Sequence, residues 1–548
     1  LEAGHFSWTQ IAARPEHNRA QGFTMARDAV HLVWLKRDLR LSDHLPIWEA
    51  SRSGATVVLY VFEPKLWAMP EMDRVHFDFI AQSLEDLSEK LLAIGGRLAI
   101  RVGELPDVFA ELTSRFDIAG LYSHEETGNQ FTYDRDRTVA RWARHLGVTW
   151  KQYPQNGVVR PLKSRNGWAE IWHKRMTAPI TPTPVSMVIP GDFDWGRIPQ
   201  GSDLGLLSKQ SQDLQQGGQS QAVQTLQSFL TLRGVNYRKG MSSPVTAPDD
   251  CSRLSPYLAW GCLSMKSTYQ ELLAREEELR EAPVGSIDSR WLGSLKSFSS
   301  RLAWHCHFMQ KLEDEPTLEF ENISRVYDGL RENDFNQERF EAWQAGNTGY
   351  PMIDACMRAL AQKRWINFRM RAMLMSFASN HLWLHWRPTA VHLAKYFLDF
   401  EPGIHFSQCQ MQSGTTGINT IRIYSPAKQA IDQDPTGEFI RRYVPELARV
   451  PNEYLPEPHR MPMHVQSQVG CVVGRDYPFP IVEHRTAYRM AQERIFAIRQ
   501  TETAIDESKR VYQKHGSRKK RDPMPKSKSK AKSDLKQLFL FDDFKESD

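Results

Sequence analysis

The chain has 548 residues, 41% hydrophobic and 25% charged, an ordinary globular composition with length for more than one core. A net charge of +5 is too small to prescribe a nucleic-acid partner, so the location of the charge matters more than its sum. Six cysteines, at 251, 262, 306, 356, 409 and 471, form no C-x-x-C pair; this signals neither zinc nor an iron–sulfur cluster and fits a reducing, cytoplasmic compartment. No apolar run nears the ~18–20 residues of a membrane helix, and a monomer is expected.

Residues 1–28 lack an apolar leader core and read as a disordered extension. From 29 to 155, strand and helix patterns alternate. Apolar β-rich runs stand at His31–Leu35, Thr56–Phe62, Leu98–Val102, Ile118–Tyr122 and Val148–Tyr153. Between them, Ile80, Leu84, Leu87 and Leu91 recur at helical spacing before Gly95-Gly96. This alternation predicts a doubly wound, parallel, five-stranded sheet, whose ligands sit beyond the strand carboxyl ends. No G-x-G-x-x-G follows the first strand, so a dinucleotide there has no support.

Residues 156–221 read as a connector, with prolines from Pro161 to Pro190 and then a Gln/Ser/Gly-rich stretch, Lys209–Gln221, expected to be mobile. From 222 to 505 the strand signal vanishes, which predicts an all-helical domain rich in Trp, Met, Leu and Phe. Residues Trp365–Trp386 are apolar around most of a helical circumference and predict a buried helix or helix pair. Residues 506–548 are Lys-rich and low in complexity, and read as a disordered basic tail.

Four segments carry more specific information. The first is Val33-Trp34-Leu35-Lys36-Arg37-Asp38-Leu39-Arg40, where a buried strand runs into a charged turn and on to Asp43. The second is Ser252-Arg253-Leu254-Ser255-Pro256-Tyr257-Leu258, preceded by Tyr237; its hydroxyls and helix-start amides are good donors to phosphate. The third is Gly346-Asn347-Thr348-Gly349-Tyr350-Pro351 through Asp354, followed by Trp365 to Arg371. Arg371 falls in an apolar helix, where an unpaired cation is costly and a partner is expected. The fourth is Arg422-Ile423-Tyr424-Ser425-Pro426 with Gly437 to Leu447.

In this order the segments resemble the photolyase/cryptochrome superfamily across roughly residues 30–460. The resemblance implies FAD in the helical domain, held by Tyr237, Ser252, Arg253, Leu254, Ser255, Trp365, Phe368, Arg371, Asp399, Glu401 and His405. It supplies Arg371 with an acidic partner from Asp399-Phe400-Glu401. It implies electron transfer through Trp386, the family's middle tryptophan, and ultraviolet-damaged DNA as partner. The N-terminal domain could carry an antenna chromophore: folate, deazaflavin or a second flavin.

The departures fall in the active site. Arg301 stands where dimer photolyases carry a lesion-binding Glu; an Arg donates only, so it could hold a phosphate or a lesion carbonyl. Cys251 replaces a phosphate-binding Thr, and Phe368 replaces an Asn. Asn367 and Arg371 occupy the places of the paired histidines of 6-4 enzymes. His405 falls at the flavin N5 position and Cys409 replaces the inner tryptophan, which breaks the usual relay unless Trp304, Trp383 or a Tyr reroutes it. His305, His307 and His405 are candidate acid–base groups. Catalytic roles are expected for Arg301, Trp304, His305 and His405.

Two functions fit: blue-light-driven repair of pyrimidine dimers, either cyclobutane or 6-4, and a cryptochrome-like photoreceptor. In the tail, Gln537-Leu538-Phe539-Leu540-Phe541 resembles the Q-L-x-L-F peptide that docks bacterial proteins on the sliding clamp. The clamp contact would run through Gln537, Leu538, Leu540 and Phe541, with the alternative that the cluster folds back on the helical domain or lies idle.

Overall fold

The computed structural model describes residues 27–207, 214–283 and 285–517. The N-terminal extension up to residue 26, residues 208–213 of the Gln/Ser-rich stretch, and the tail from 518 on, with its Gln537–Phe541 motif, lie outside the described residues.

Five parallel strands form one sheet: β1 (Ala29–Trp34), β2 (Thr56–Phe62), β3 (Leu98–Val102), β4 (Asp117–His124) and β5 (Trp150–Tyr153). Their order is β3-β2-β1-β4-β5, the doubly wound arrangement expected from the sequence. Every residue of β2 is buried, which is why it reads as an unbroken apolar run. Helices α1 (Leu45–Ser53), α2 (Arg74–Leu92), α3 (Leu105–Arg115) and α4 (Gln130–Leu146) cross between the strands.

The charged turn after β1 has a structural role. Asp38 lies at the centre of a buried group, its Oδ2 at 3.0 Å from His44 Nε2 and 2.8 Å from His124 Nδ1. The Ile47 N–H donates to His44 Nδ1, so His44 carries its proton on Nε2 and donates it to Asp38. The three residues could by position hold a metal ion, but this hydrogen-bonding pattern makes them a clasp between β1, α1 and β4.

The connector is more built than its prolines suggest. It contains α5 (Trp168–Met176), whose Trp172 packs on Tyr269, and its later part lies along the sheet. Thr56 N–H donates to the Val188 carbonyl and Ile100 N–H to that of Trp195, both at 2.8 Å.

The helical domain includes α6 (Gln219–Thr231), α7 (Ser255–Ala259), α8 (Met265–Glu281), α9 (Arg290–Asp314), α10 (Pro351–Lys363), α11 (Phe368–Ser376), α12 (Trp386–Tyr396) and α13 (Pro402–Ser413). The apolar Trp365–Trp386 segment is a helix followed by a π-helical turn, Phe377–His381, before α12 begins. It is buried around most of its circumference, as its pattern predicts.

After α14 (His484–Arg499), helix α15 (Glu502–His515) runs on through residues 506–515, which were expected to be disordered. Ala504, Val511 and His515 are buried, and His515 Nε2 lies 2.6 Å from Glu315 Oε2. The lysine-rich composition of the later tail hid this amphipathic helix.

Candidate functional site

One cavity of about 1070 Å³ opens in the helical domain, at the upper end of the ~300–1,000 Å³ typical of small-molecule sites. Its base is the pair expected from the sequence. Arg371 Nη1 and Nη2 donate to the two Asp399 carboxylate oxygens at 3.0 and 2.9 Å, and Nε donates to the Ile366 carbonyl at 2.7 Å. Burial works to raise the Asp399 pKa, but Arg371 outweighs it and holds the carboxyl below its usual range.

A second wall comes from the phosphate-type segment. Tyr237, Ser252, Arg253 and Ser255 line the cavity. Arg253 adopts a left-handed backbone (φ 60°), with its carbonyl accepting from Gln215 at 2.6 Å and its guanidinium 3.9 Å from the centre of the Trp365 ring. Burial lowers its pKa to about 10, so it stays charged. Leu254, expected at the cofactor, is fully buried in the core and does not line the cavity.

Helix α9 supplies Arg301, Trp304 and His305, a spacing that puts all three on one face. Arg301 lies 4.5 Å from the Trp304 ring centre, and its charge opposes the burial that raises the Tyr237 pKa. Burial holds His305 down to about 4, so its imidazole is neutral near pH 7 and is no ready proton donor there. His307 points away from the cavity, against Trp168.

Helix α13 presents Ile404, Gln408, Met411 and Gln412 to the cavity. His405 does not line this cavity but an adjoining one of about 90 Å³, which shares Arg371, Asp399 and Gln408 with it. It sits one position off the face of α13 that meets the main cavity; its Nε2 lies 2.7 Å from the Ala390 carbonyl and 3.7 Å from Cys409 Sγ. The helical spacing of Ile404, Gln408 and Met411 marks the face of α13 that meets the cavity.

Neither expected relay tryptophan touches the cavity. Trp386 is buried, donates to Asn322 Oδ1 at 2.8 Å and lies 6.5 Å from the Phe406 ring. Trp383 is buried with Arg331 and Arg494 at 4.4 and 4.9 Å from its ring, and donates to Asp334.

The lining carries eight Lys or Arg side chains against two carboxylates, Asp399 and Glu401. Arg238, Lys239, Arg290 and Arg422 are exposed, whereas Arg253, Arg301, Arg369 and Arg371 are half-buried. Scattered over five segments between positions 238 and 422, these cations were only partly legible in the sequence. Five buried polar atoms of lining residues, His305 Nδ1, Asn367 Oδ1, Arg369 Nε, Glu401 Oε1 and Gln408 Oε1, have no protein partner. Buried polar atoms are nearly always hydrogen-bonded, so the cavity is shaped for a polar ligand. Its size, cationic character and stacked aromatic side chains fit a flavin dinucleotide.

Fold and cavity together define a class: a doubly wound α/β domain joined to a helical domain that encloses a cationic, cofactor-sized site. Two family models match in chain order: "DNA photolyase" over residues 31–169 and "FAD binding domain of DNA photolyase" over 298–497. The chain is 26% identical over 480 residues to the deoxyribodipyrimidine photo-lyase of Alkalihalophilus pseudofirmus, across 83% of this chain and 96% of that protein. It is 27% identical over 483 residues to a cryptochrome DASH of Gloeobacter violaceus, across 82% and 93%. The fold matches the crystal structure of a bacterial class III photolyase from Agrobacterium tumefaciens with a TM-score of 0.76 at 24% identity, covering 88% of this chain and 100% of that one. The chain belongs to the photolyase/cryptochrome family, and its helical domain is of the FAD-binding type.

Among the described residues, no helix is long and apolar enough to cross a membrane.

Proposed function

We propose that this protein repairs ultraviolet-induced pyrimidine dimers in DNA, driven by blue light and dependent on FAD. The observation that carries the reading is the cavity lining. The exposed cations Arg238, Lys239, Arg290 and Arg422 line the cavity, and Phe368, also on its lining, is 41% exposed. A damaged base must leave the helix to be reached, and a lesion unstacks at low cost. The exposed cations would hold the flanking phosphates, and aromatic faces would receive the flipped base.

Tyr237, Ser252, Arg253 and Ser255 would hold the FAD diphosphate, and Arg371 with Asp399 would form the floor under the flavin. Reduced FAD supplies the electron that blue light moves to the dimer; the protein's part is to bind, orient and exclude water. Arg301, beside Trp304 and Tyr237, would meet the lesion as a donor in place of the usual acid. Trp386 and Trp383 are the proposed electron-transfer residues. No antenna chromophore is assigned.

One observation favours a second reading, a cryptochrome-like photoreceptor: Arg301 occupies the place of the lesion-binding Glu. The experiment that separates them is a light-dependent repair assay with fully reduced protein on cyclobutane and 6-4 lesions. Repair of either supports the enzyme. Flavin photochemistry without repair and without preference for damaged DNA supports the receptor.

A further inference from the structure

Glu401 lines the cofactor cavity and also faces Arg37 of the N-terminal domain. Its side chain is 5% exposed, its Oε1 has no partner, and it lines the cavity wall. Its other oxygen lies 3.8 Å from Arg37 Nη1, which reaches across from the turn after β1. That contact is loose because Arg37 is committed elsewhere. Its Nη1 donates to the Phe400 carbonyl at 2.9 Å and the Ala259 carbonyl at 3.3 Å, and its guanidinium lies 4.2 Å from the centre of the Trp260 ring. Arg37 also lies 3.8 Å from Glu126, which has Arg135 as its closer partner.

A buried carboxylate with an orphaned oxygen and a loosely held counter-ion is poorly compensated. Burial pushes the Glu401 pKa up to about 7, with Arg37 pulling it down and Glu126 adding to the rise. The other charged or titratable groups around this wall do not compete near neutrality. Asp399 is held ionised by Arg371, and burial keeps His305 and His405 neutral, each at about 4.

We infer that Glu401 is the proton-exchanging group of the cofactor cavity, and that Arg37 is the positioning residue which sets the pH at which it changes charge. This rests on the proposal that the cavity holds FAD. When the bound flavin takes an electron from an external one-electron reductant, negative charge is added beside Glu401. An ionised Glu401 then takes a proton from water, so that the charge gained by the cofactor is offset by the charge lost by the carboxylate. A Glu401 that already holds its proton takes up none.

The test is a potentiometric titration of the FAD-loaded full chain between pH 5.5 and 8.5, with dithionite as reductant, for wild type and Glu401→Gln. Subtracting the two curves cancels protons taken by the flavin itself. The potentials should coincide at low pH, where Glu401 is as neutral as Gln. Wild type should then fall below the variant as pH rises through neutrality, with a limiting slope of ~59 mV per tenfold change in proton activity. A difference that is the same at every pH overturns the inference.

Arg37→Met provides a second reading, since it keeps Glu401 and removes the cation. The onset of the wild-type fall should move to higher pH, because the carboxylate loses its counter-ion. If Glu401→Gln does not retain flavin, this shift decides the matter, and an unmoved onset overturns the role of Arg37. Wild type that binds no flavin at all would be seen first, as absent flavin absorbance, and would overturn the cofactor reading itself.

Discussion

The guanidinium of Arg371 grips the carboxylate of Asp399 with both terminal nitrogens, across 28 residues of chain and at the base of the main cavity. Such two-pronged pairs fix orientation as well as charge.

Arg371→Ala leaves Asp399 buried and unpaired. Breaking a buried pair costs about 3–5 kcal/mol, but the Arg371 side chain keeps 23% of its surface in solvent, so a smaller cost is expected here. The variant should fold and purify with most of its flavin missing. The flavin-to-protein ratio after gel filtration measures this, and a ratio equal to wild type would remove the pair from the cofactor site.

Arg301→Ala separates lesion from cofactor. With Trp304 and Tyr237 still in place, flavin content should stay near wild type, while affinity for damaged DNA falls roughly tenfold, as expected for one charged contact of ~1.4 kcal/mol. Fluorescence anisotropy on lesion-bearing DNA gives the affinity. Lost flavin with unchanged DNA affinity would assign Arg301 to the diphosphate.

Trp386→Phe should slow photoreduction without abolishing it. Cys409 stands where the inner tryptophan is expected, and it is buried beside His405 instead of lining the main cavity. A route that already bypasses that position depends less on the next one. Complete loss of photoreduction in this single variant would show that Trp386 is obligatory.

Glu319 offers a stability test independent of the flavin. It is 1% exposed, and burial raises its pKa to about 7, opposed by the Gln130 N–H and reinforced by Glu71. The folded protein therefore holds this proton more tightly than the unfolded chain does, and stability falls as pH rises from 4.5 to about 7. Glu319→Gln keeps an acceptor for the Gln130 N–H and removes the charge. Its Tm should exceed that of wild type at pH 8, by ~1 °C for each kcal/mol regained, and match it near pH 4.5. An equal gain at both pH values would contradict the sign.

The tail peptide Gln537–Phe541 is expected to bind a bacterial sliding clamp through Gln537, Leu538, Leu540 and Phe541. Titration of a peptide spanning residues 530–548 tests this. Binding should be lost when Leu540 and Phe541 are both replaced by Ala; no binding, or binding that survives the change, ends the proposal.

Much of the architecture was legible in the chain because it depends on local periodicity. The apolar run of β2, the helical spacing of Ile80 to Leu91 and the apolar circumference around Met370 each record burial directly. Arg371 was legible as a paired residue because an arginine in an apolar helix has few stable alternatives. The remainder depended on directions in space. His405 and Gln408 lie three residues apart on one helix, yet only Gln408 lines the main cavity, since helix rotation relative to its neighbours is set by packing. The link from Arg37 to Glu401 joins positions 364 residues apart, and no local pattern encodes it. The C-terminal helix was masked by lysine-rich composition until Val511 and His515 found their packing partners. Periodicity reports which side of an element is buried, whereas the identity of what it meets is decided when the two domains close on each other.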